Sequence, residues 1–272
     1  MQSMKNKSDQ AFTFIELLVV ITLVALLTMI VYPALAQTKP GVQRVYCSNN
    51  LKQVGIAFRT WAGRNADLFP MSVPNNRGGA AGAVGTARTA NWTGGLFPTL
   101  QGVWGMFIVM SNELVTPRIL YCPSESGVSH NLSSAPLIMG GTNFGPGTFN
   151  NAGFQNDYNV SYFVGVDANL AGPDRMLSGD HNLGTGIGQT TRVNQFISAG
   201  TNNNWTVNSI GYQDNNHRRQ GNVLFVDGSV QNLTTERFRM ALNRTGDTGR
   251  SPGVFTLAIG SQGAGVNRLQ FP

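Results

Sequence analysis

Between Leu17 and Ala36 the chain carries no charged side chain, and the residue just before this apolar run is an acid, Glu16. An uninterrupted apolar stretch of this length is long enough to cross the roughly 30 Å hydrocarbon core of a bilayer as a helix. A carboxylate inside such a segment is costly, about +2.5 to +3.5 kcal/mol at mid-membrane and less toward an end, and it calls for a charge partner. Upstream, Lys5 and Lys7 form a short cationic leader.

The order Ala11-Phe12-Thr13-Phe14-Ile15-Glu16-Leu17-Leu18 resembles the type IV prepilin signal. In that signal a basic leader ends at a small residue, usually Gly, and an aromatic, a few apolar or Thr positions and Glu follow. Ala11 stands here in place of the Gly. The resemblance implies cleavage between Ala11 and Phe12 by a prepilin peptidase, N-methylation of Phe12, and Glu16 as the fifth mature residue. It also implies that Glu16 meets the terminal amine of a neighbouring subunit during assembly, which supplies the buried acid with a partner. Pro33 becomes the twenty-second mature residue, where many pilins carry a proline that kinks or locally melts the helix by removing a backbone donor.

Two plainer readings use the same segment. Ala34-Leu35-Ala36 is an A-x-A pattern at which a secretory signal peptidase would cut before Gln37. An uncleaved anchor with its basic leader inside the cell is the other. Neither accounts for Glu16.

The resemblance divides the chain into a leader (1–11), a transmembrane and assembly helix (12–36), an amphipathic helix continuing into the head (37–64) and a globular α+β head (65–272). Pro40-Gly41 is a strong interrupter, so a break or sharp bend is expected there. Beyond it Cys47, Leu51, Val54, Phe58 and Trp61 recur at spacings of four and three, the core-facing stripe of a helix. That stripe should pack on an antiparallel sheet, as it does in pilin-like folds. Val103 to Met110 reads as a strand or a short helix. Tyr158–Val166 and Met176–Ser178 read as strands, whereas Gly79–Gly95 and Ser124–Asn156 read as loops.

With 33 glycines and only 12% charged residues, the head's surface is built mainly from Asn, Ser, Thr, Gln and backbone, unlike a coiled coil or an acidic disordered tail. Losing Lys5, Lys7 and Asp9 with the leader takes the formal charge from +6 to +5. That mild excess is not interleaved with aromatics, so specific nucleic-acid binding is not expected.

In the last third, His217 is followed by nine residues and then Asp227-Gly228. Val223–Val226 reads as a strand, and Asp-Gly before Ser229-Val230-Gln231-Asn232-Leu233 is a hairpin turn signal. This spacing resembles the H-x9-DG motif of a prepilin-associated domain. Families carrying that domain also show a helix like Cys47-Ser48-Asn49-Asn50-Leu51-Lys52-Gln53 and a later Cys-Pro-Ser, here Cys122-Pro123-Ser124.

Asp227 and Gly228 are first turn residues, with His217 free to tie the turn to a neighbouring loop. A sharper alternative gathers Asp180, His181, Asp214, His217 and Asp227 into a metal site, where carboxylates suit calcium and imidazoles suit zinc or another transition metal. No EF-hand loop or H-E-x-x-H accompanies them, and no cofactor is expected, with calcium possible. Cys47 and Cys122 are either one disulfide in an exported head or two buried thiols. No nucleophile elbow or phosphate loop is present in the sequence, so an enzyme is not expected.

The expected function is therefore structural. The chain reads as a subunit of a type IV pilus-like filament or type II secretion pseudopilus, anchored in the inner membrane with its head in the periplasm. Its partners are further copies of itself, the prepilin peptidase and methylase, the membrane lipid and the inner-membrane assembly machinery. The runner-up is a monomeric membrane-anchored surface or binding protein that uses the same export signal.

Overall fold

A computed structural model describes residues 12–84, 102–124, 154, 157–185, 196–199, 210–213, 217–245 and 267–271. The chain forms two compact units, Met1–Val42 and Gln43–Pro272. A single helix, α1 (Phe14–Arg64), supplies residues to both.

The helix starts where its sequence satisfies its own first turn. The Thr13 backbone N–H and hydroxyl both donate to Glu16 Oε2, at 2.9 and 2.7 Å, and the Glu16 N–H donates to Thr13 Oγ1 at 3.3 Å. This is a capping box, in which Thr and the acid three residues on satisfy each other's donors. The expected interruption at Pro40-Gly41 does not occur, and the helix also continues through Pro33. Each proline removes one backbone donor, and the flanking turns keep enough of the i→i−4 ladder to carry the helix past it.

In the first unit, Phe14–Val31 forms an apolar span, none of it buried within the chain. In the second unit, the whole expected stripe of α1 is buried, with Cys47, Leu51, Val54 and Phe58 fully so.

This stripe faces a six-stranded antiparallel sheet in the order β4-β8-β1-β2-β6-β7. The strands are β1 (Tyr162–Gly165), β2 (Met176–Asp180), β4 (Phe196–Ser198), β6 (Gln220–Phe225), β7 (Val230–Thr234) and β8 (Arg268–Gln270). A separate ribbon pairs β3 (Leu183–Thr185) with β5 (Ile210–Tyr212).

Side chains alternate across a pleated strand, and here both faces are covered. Tyr162, Val164, Leu177 and Leu224 join the cluster containing α1, Phe69 and Phe107. Phe163, Met176, Val223 and Phe225 join the opposite cluster with Phe238 and Leu242. Those last two lie on α4 (Thr235–Arg244), whose first turn is capped by the Thr234 hydroxyl accepting from the Arg237 N–H. At Gly55 the helix and sheet approach so closely that a Cβ would sit 2.8 Å from Leu224 Cδ1.

Val103–Val109 is the helix α2, followed by the short α3 (Ser111–Leu114). Before Cys122 the chain forms a 3-10 turn, Pro117–Leu120, in which Pro117, Ile119 and Leu120 are buried. Most of the two expected long loops, and Asp214, lie outside the described residues. The head is thus mixed α+β, with a helix on an antiparallel sheet, consistent with a pilin-like fold.

Candidate functional site

The H-x9-DG segment is one strand with a helix contact at each end. At the far end, β6 turns into β7 through Val226-Asp227-Gly228, where the Gly228 N–H donates to Phe225 O and the Phe225 N–H to Ser229 O, both at 2.9 Å. Asp227 Oδ1 accepts from the Ser229 N–H at 2.7 Å. Gly228 has φ 87°, the left-handed conformation of a three-residue hairpin loop with a bulge. The loop is held to α1 by Arg59, whose Nη2 donates to Val226 O at 2.9 Å.

At the near end, His217, Arg218 and Arg219 have φ of 50°, 53° and 59°. One such non-glycine residue is uncommon, and each costs about 1–2 kcal/mol, so three in a row need surrounding structure to hold them. Arg44 on α1 supplies part of it, donating from Nη2 to His217 O at 3.0 Å and from Nη1 to Gln220 Oε1 at 2.7 Å. The Arg219 N–H donates to Gln213 O at 3.3 Å.

The buried His217 ring supplies the rest. Its Nδ1 lies 3.1 Å from Ser124 Oγ, and its Nε2 lies 3.2 Å from Cys122 Sγ and 3.3 Å from Asp180 Oδ2. A carboxylate only accepts, so Nε2 carries the proton shared with Asp180. The same carboxylate oxygen accepts from the Asn222 backbone N–H at 2.7 Å and from its amide Nδ2 at 3.0 Å. Cys122 is bonded to Cys47 of α1, with their Cα atoms 5.3 Å apart. The Cys122 N–H donates to Ser161 Oγ at 2.9 Å, which ties the bridge to the approach of β1.

Sequence reasoning placed Asp180, His181, Asp214, His217 and Asp227 in one constellation. The structure brings together Asp180 and His217 and adds the two sulfurs; all four residues are buried. It does not bring in Asp227. Strand β6 lies between His217 and Asp227, and six extended residues span about 20 Å. The Asp227 carboxylate is instead used in its own turn. His181 is buried, and its backbone joins the path from Ser161 to Leu183. Ser124 stands in the sequence as the end of the Cys122-Pro123-Ser124 motif, whereas Arg44, Arg59 and Asn222 carry no sequence signal. Arg44 and Arg59 lie off the apolar stripe of α1, and nothing in a single chain signals which backbone carbonyls they reach.

Burial next to Asp180 also affects Tyr212, whose phenol is pushed well above its usual range, first by desolvation and then by the negative carboxylate. Its ring stacks edge-on against Phe238 at a centroid distance of 5.3 Å.

The two arginine contacts and the disulfide together attach α1 to the sheet. They fix the helix against both ends of β6 and against the segment after the Pro117–Leu120 turn. All three contacts lie within the second unit.

Residues 6–32 match the family model described as the prokaryotic N-terminal methylation motif. No curated protein and no solved structure matches the chain. The N-terminus therefore carries a type IV pilin-like export signal of the kind processed by prepilin peptidase. Behind it, an apolar helix consistent with membrane anchoring leads to a mixed α+β head.

Proposed function

We propose that this protein is a structural subunit of a type IV pilus-like filament or type II secretion pseudopilus. In this reading it is cut between Ala11 and Phe12, methylated on Phe12, and assembled laterally through α1. The reading rests on one observation above others: an apolar helix span, Phe14–Val31, with no part buried in its own chain and an acid in its first turn. Such a surface must be covered, first by lipid and after extraction from the bilayer by other copies of the same helix.

The helix surface near the head supports lateral packing. Val42, Val45 and Ile56 lie on one side of α1 and are 66%, 61% and 65% exposed. Residues three and eleven positions apart fall within about 60° of each other around a 3.6-residue helix.

Among the described residues, the Glu16 carboxylate is held by Thr13. Its capping oxygen is within reach of a neighbour's amine once the leader is gone, so Glu16 sets register by exchanging an internal cap for an intersubunit ion pair. Imaging of filaments from cells expressing a tagged chain tests this. Glu16→Ala should abolish filaments while the head stays folded, and normal filaments from that variant would refute the register role. A wild-type chain that is processed but never polymerises would instead favour a monomeric anchored protein.

A further inference from the structure

We propose that Cys47, Cys122, Asp180 and His217 form a binding site for a zinc-class divalent ion whenever the two cysteines are in the dithiol state, and that disulfide formation expels the ion. This proposal stands on the head alone and does not depend on filament assembly.

The ligating atoms of the four residues lie within 4.8 Å of one another, and all four residues are buried. For tetrahedral zinc, bond lengths of about 2.3 Å to sulfur and about 2.0–2.2 Å to nitrogen and oxygen set the edges. The N···O edge is about 3.3 Å, the N···S edge about 3.5 Å and the S···S edge about 3.8 Å. Here His217 Nε2 is 3.3 Å from Asp180 Oδ2 and 3.2 Å from Cys122 Sγ. Two edges of the tetrahedron are therefore nearly in place. The two bonded sulfurs must separate to reach the S···S edge, and every separation in the quartet is already below 4.8 Å.

The donor set also selects the ion. Two thiolates and an imidazole favour zinc or another thiophilic transition metal over calcium or magnesium, which take oxygen ligands. The surroundings are those of a ligated histidine and carboxylate, each oriented by a second partner. Nδ1–H can donate to Ser124 Oγ once Nε2 gives its proton up to bind metal, and Asn222 donates twice to the Asp180 carboxylate. The Arg44 guanidinium, bonded to His217 O, offsets the net negative charge of the filled site.

The redox step balances with a disulfide oxidant R′S–SR′, the class of reagent met in exported compartments. The zinc-bound pair of protein thiolates gives two electrons to R′S–SR′. The Cys47–Cys122 bond forms, the R′S–SR′ bond breaks into two R′S⁻, and Zn²⁺ leaves. Metal would then hold α1 against the sheet before oxidation, and the covalent bridge would hold it afterwards.

The test uses the full chain in detergent, reduced with a phosphine and freed of metal by a chelator, then titrated with Co²⁺ as a spectroscopic stand-in for zinc. The reduced protein should bind one equivalent with thiolate-to-cobalt charge-transfer and strong tetrahedral d–d bands, and the disulfide form should show neither. His217→Ala and Asp180→Asn should each weaken binding at least about 10-fold and lower the d–d intensity. Far-ultraviolet circular dichroism follows folding throughout. A reduced chain that unfolds and is refolded by zinc supports the site, since metal binding would then be folding free energy. The proposal is overturned if the reduced chain shows no thiolate-to-cobalt bands, or if it stays unfolded with zinc. It is equally overturned if the disulfide form binds as well as the dithiol, or if both variants, folded, bind as tightly as wild type.

Discussion

Replacing both cysteines by alanine should cost the head most of the stability that its covalent link supplies. The Cys47–Cys122 bridge spans a sequence separation of 75. In the chain-entropy model a loop of that size loses about 15 cal/mol/K of unfolded-state entropy, or about 4.5 kcal/mol at 25 °C. For a domain of this size each kcal/mol moves the melting temperature by about 2–4 °C, so the expected fall is about 9–18 °C. Both side chains are buried, Cys47 in the core and Cys122 against His217, so removing the sulfurs adds a packing loss of the same sign. The measurement is thermal unfolding of the full chain in detergent, followed by near-ultraviolet circular dichroism, with chelator present so that only the bridge is tested. Wild type with a phosphine reductant should melt close to the double variant. A double variant melting within about 3 °C of oxidised wild type would refute the loop-closure argument.

Gly228→Ala should destabilise by about 1–2 kcal/mol, because it forces an L-residue into φ 87° and puts a methyl 3.2 Å from Arg59 Nε. A urea midpoint equal to that of wild type would show the turn is not constrained as described. The pH dependence follows from Tyr212, whose folded-state pKa is raised by burial and by Asp180. Above the unfolded value of about 10, the unfolded chain releases a proton that the folded chain keeps, so stability is complete below that pH and falls as pH rises. Chemical denaturation between neutral and strongly alkaline pH should show this fall in wild type and a smaller one in Tyr212→Phe; equal slopes would contradict it.

Much of the architecture was legible because it follows from local pattern. The stripe from Cys47 to Trp61 marked the buried face of α1, since burial follows the helical period wherever one side meets a core. Asp-Gly marked the hairpin, although its loop holds three residues rather than two, because Gly228 adopts the bulge conformation. Strands β1 and β2 were placed but with shifted limits: Asp157–Asn159 forms a 3-10 turn before β1, and β2 runs on to Asp180.

Other features depended on contacts that a linear reading does not contain. Pro40-Gly41 should have broken the helix by local rules, and the long helix overrides them. The helix α4 is short, although Phe238, Ala241 and Leu242 lie at helical spacing behind the Thr234 cap and offered a usable signal. The capping box at Thr13 and Glu16 is also present in the sequence as T-x-x-E, behind the prepilin-signal resemblance of the same residues. The candidate site was half legible. Asp180 and His217 were named, but the left-handed run at His217–Arg219 and the meeting with Cys122 arise only when β2, β6 and the turn after Pro117–Leu120 converge.

Cleavage at the start of α1 separates a filament subunit from a released or simply anchored protein. The protein is purified from its native membrane and its N-terminus determined by intact and peptide mass spectrometry. The chain should begin at methylated Phe12. A chain that begins at Gln37, or one that keeps its leader intact, would contradict it.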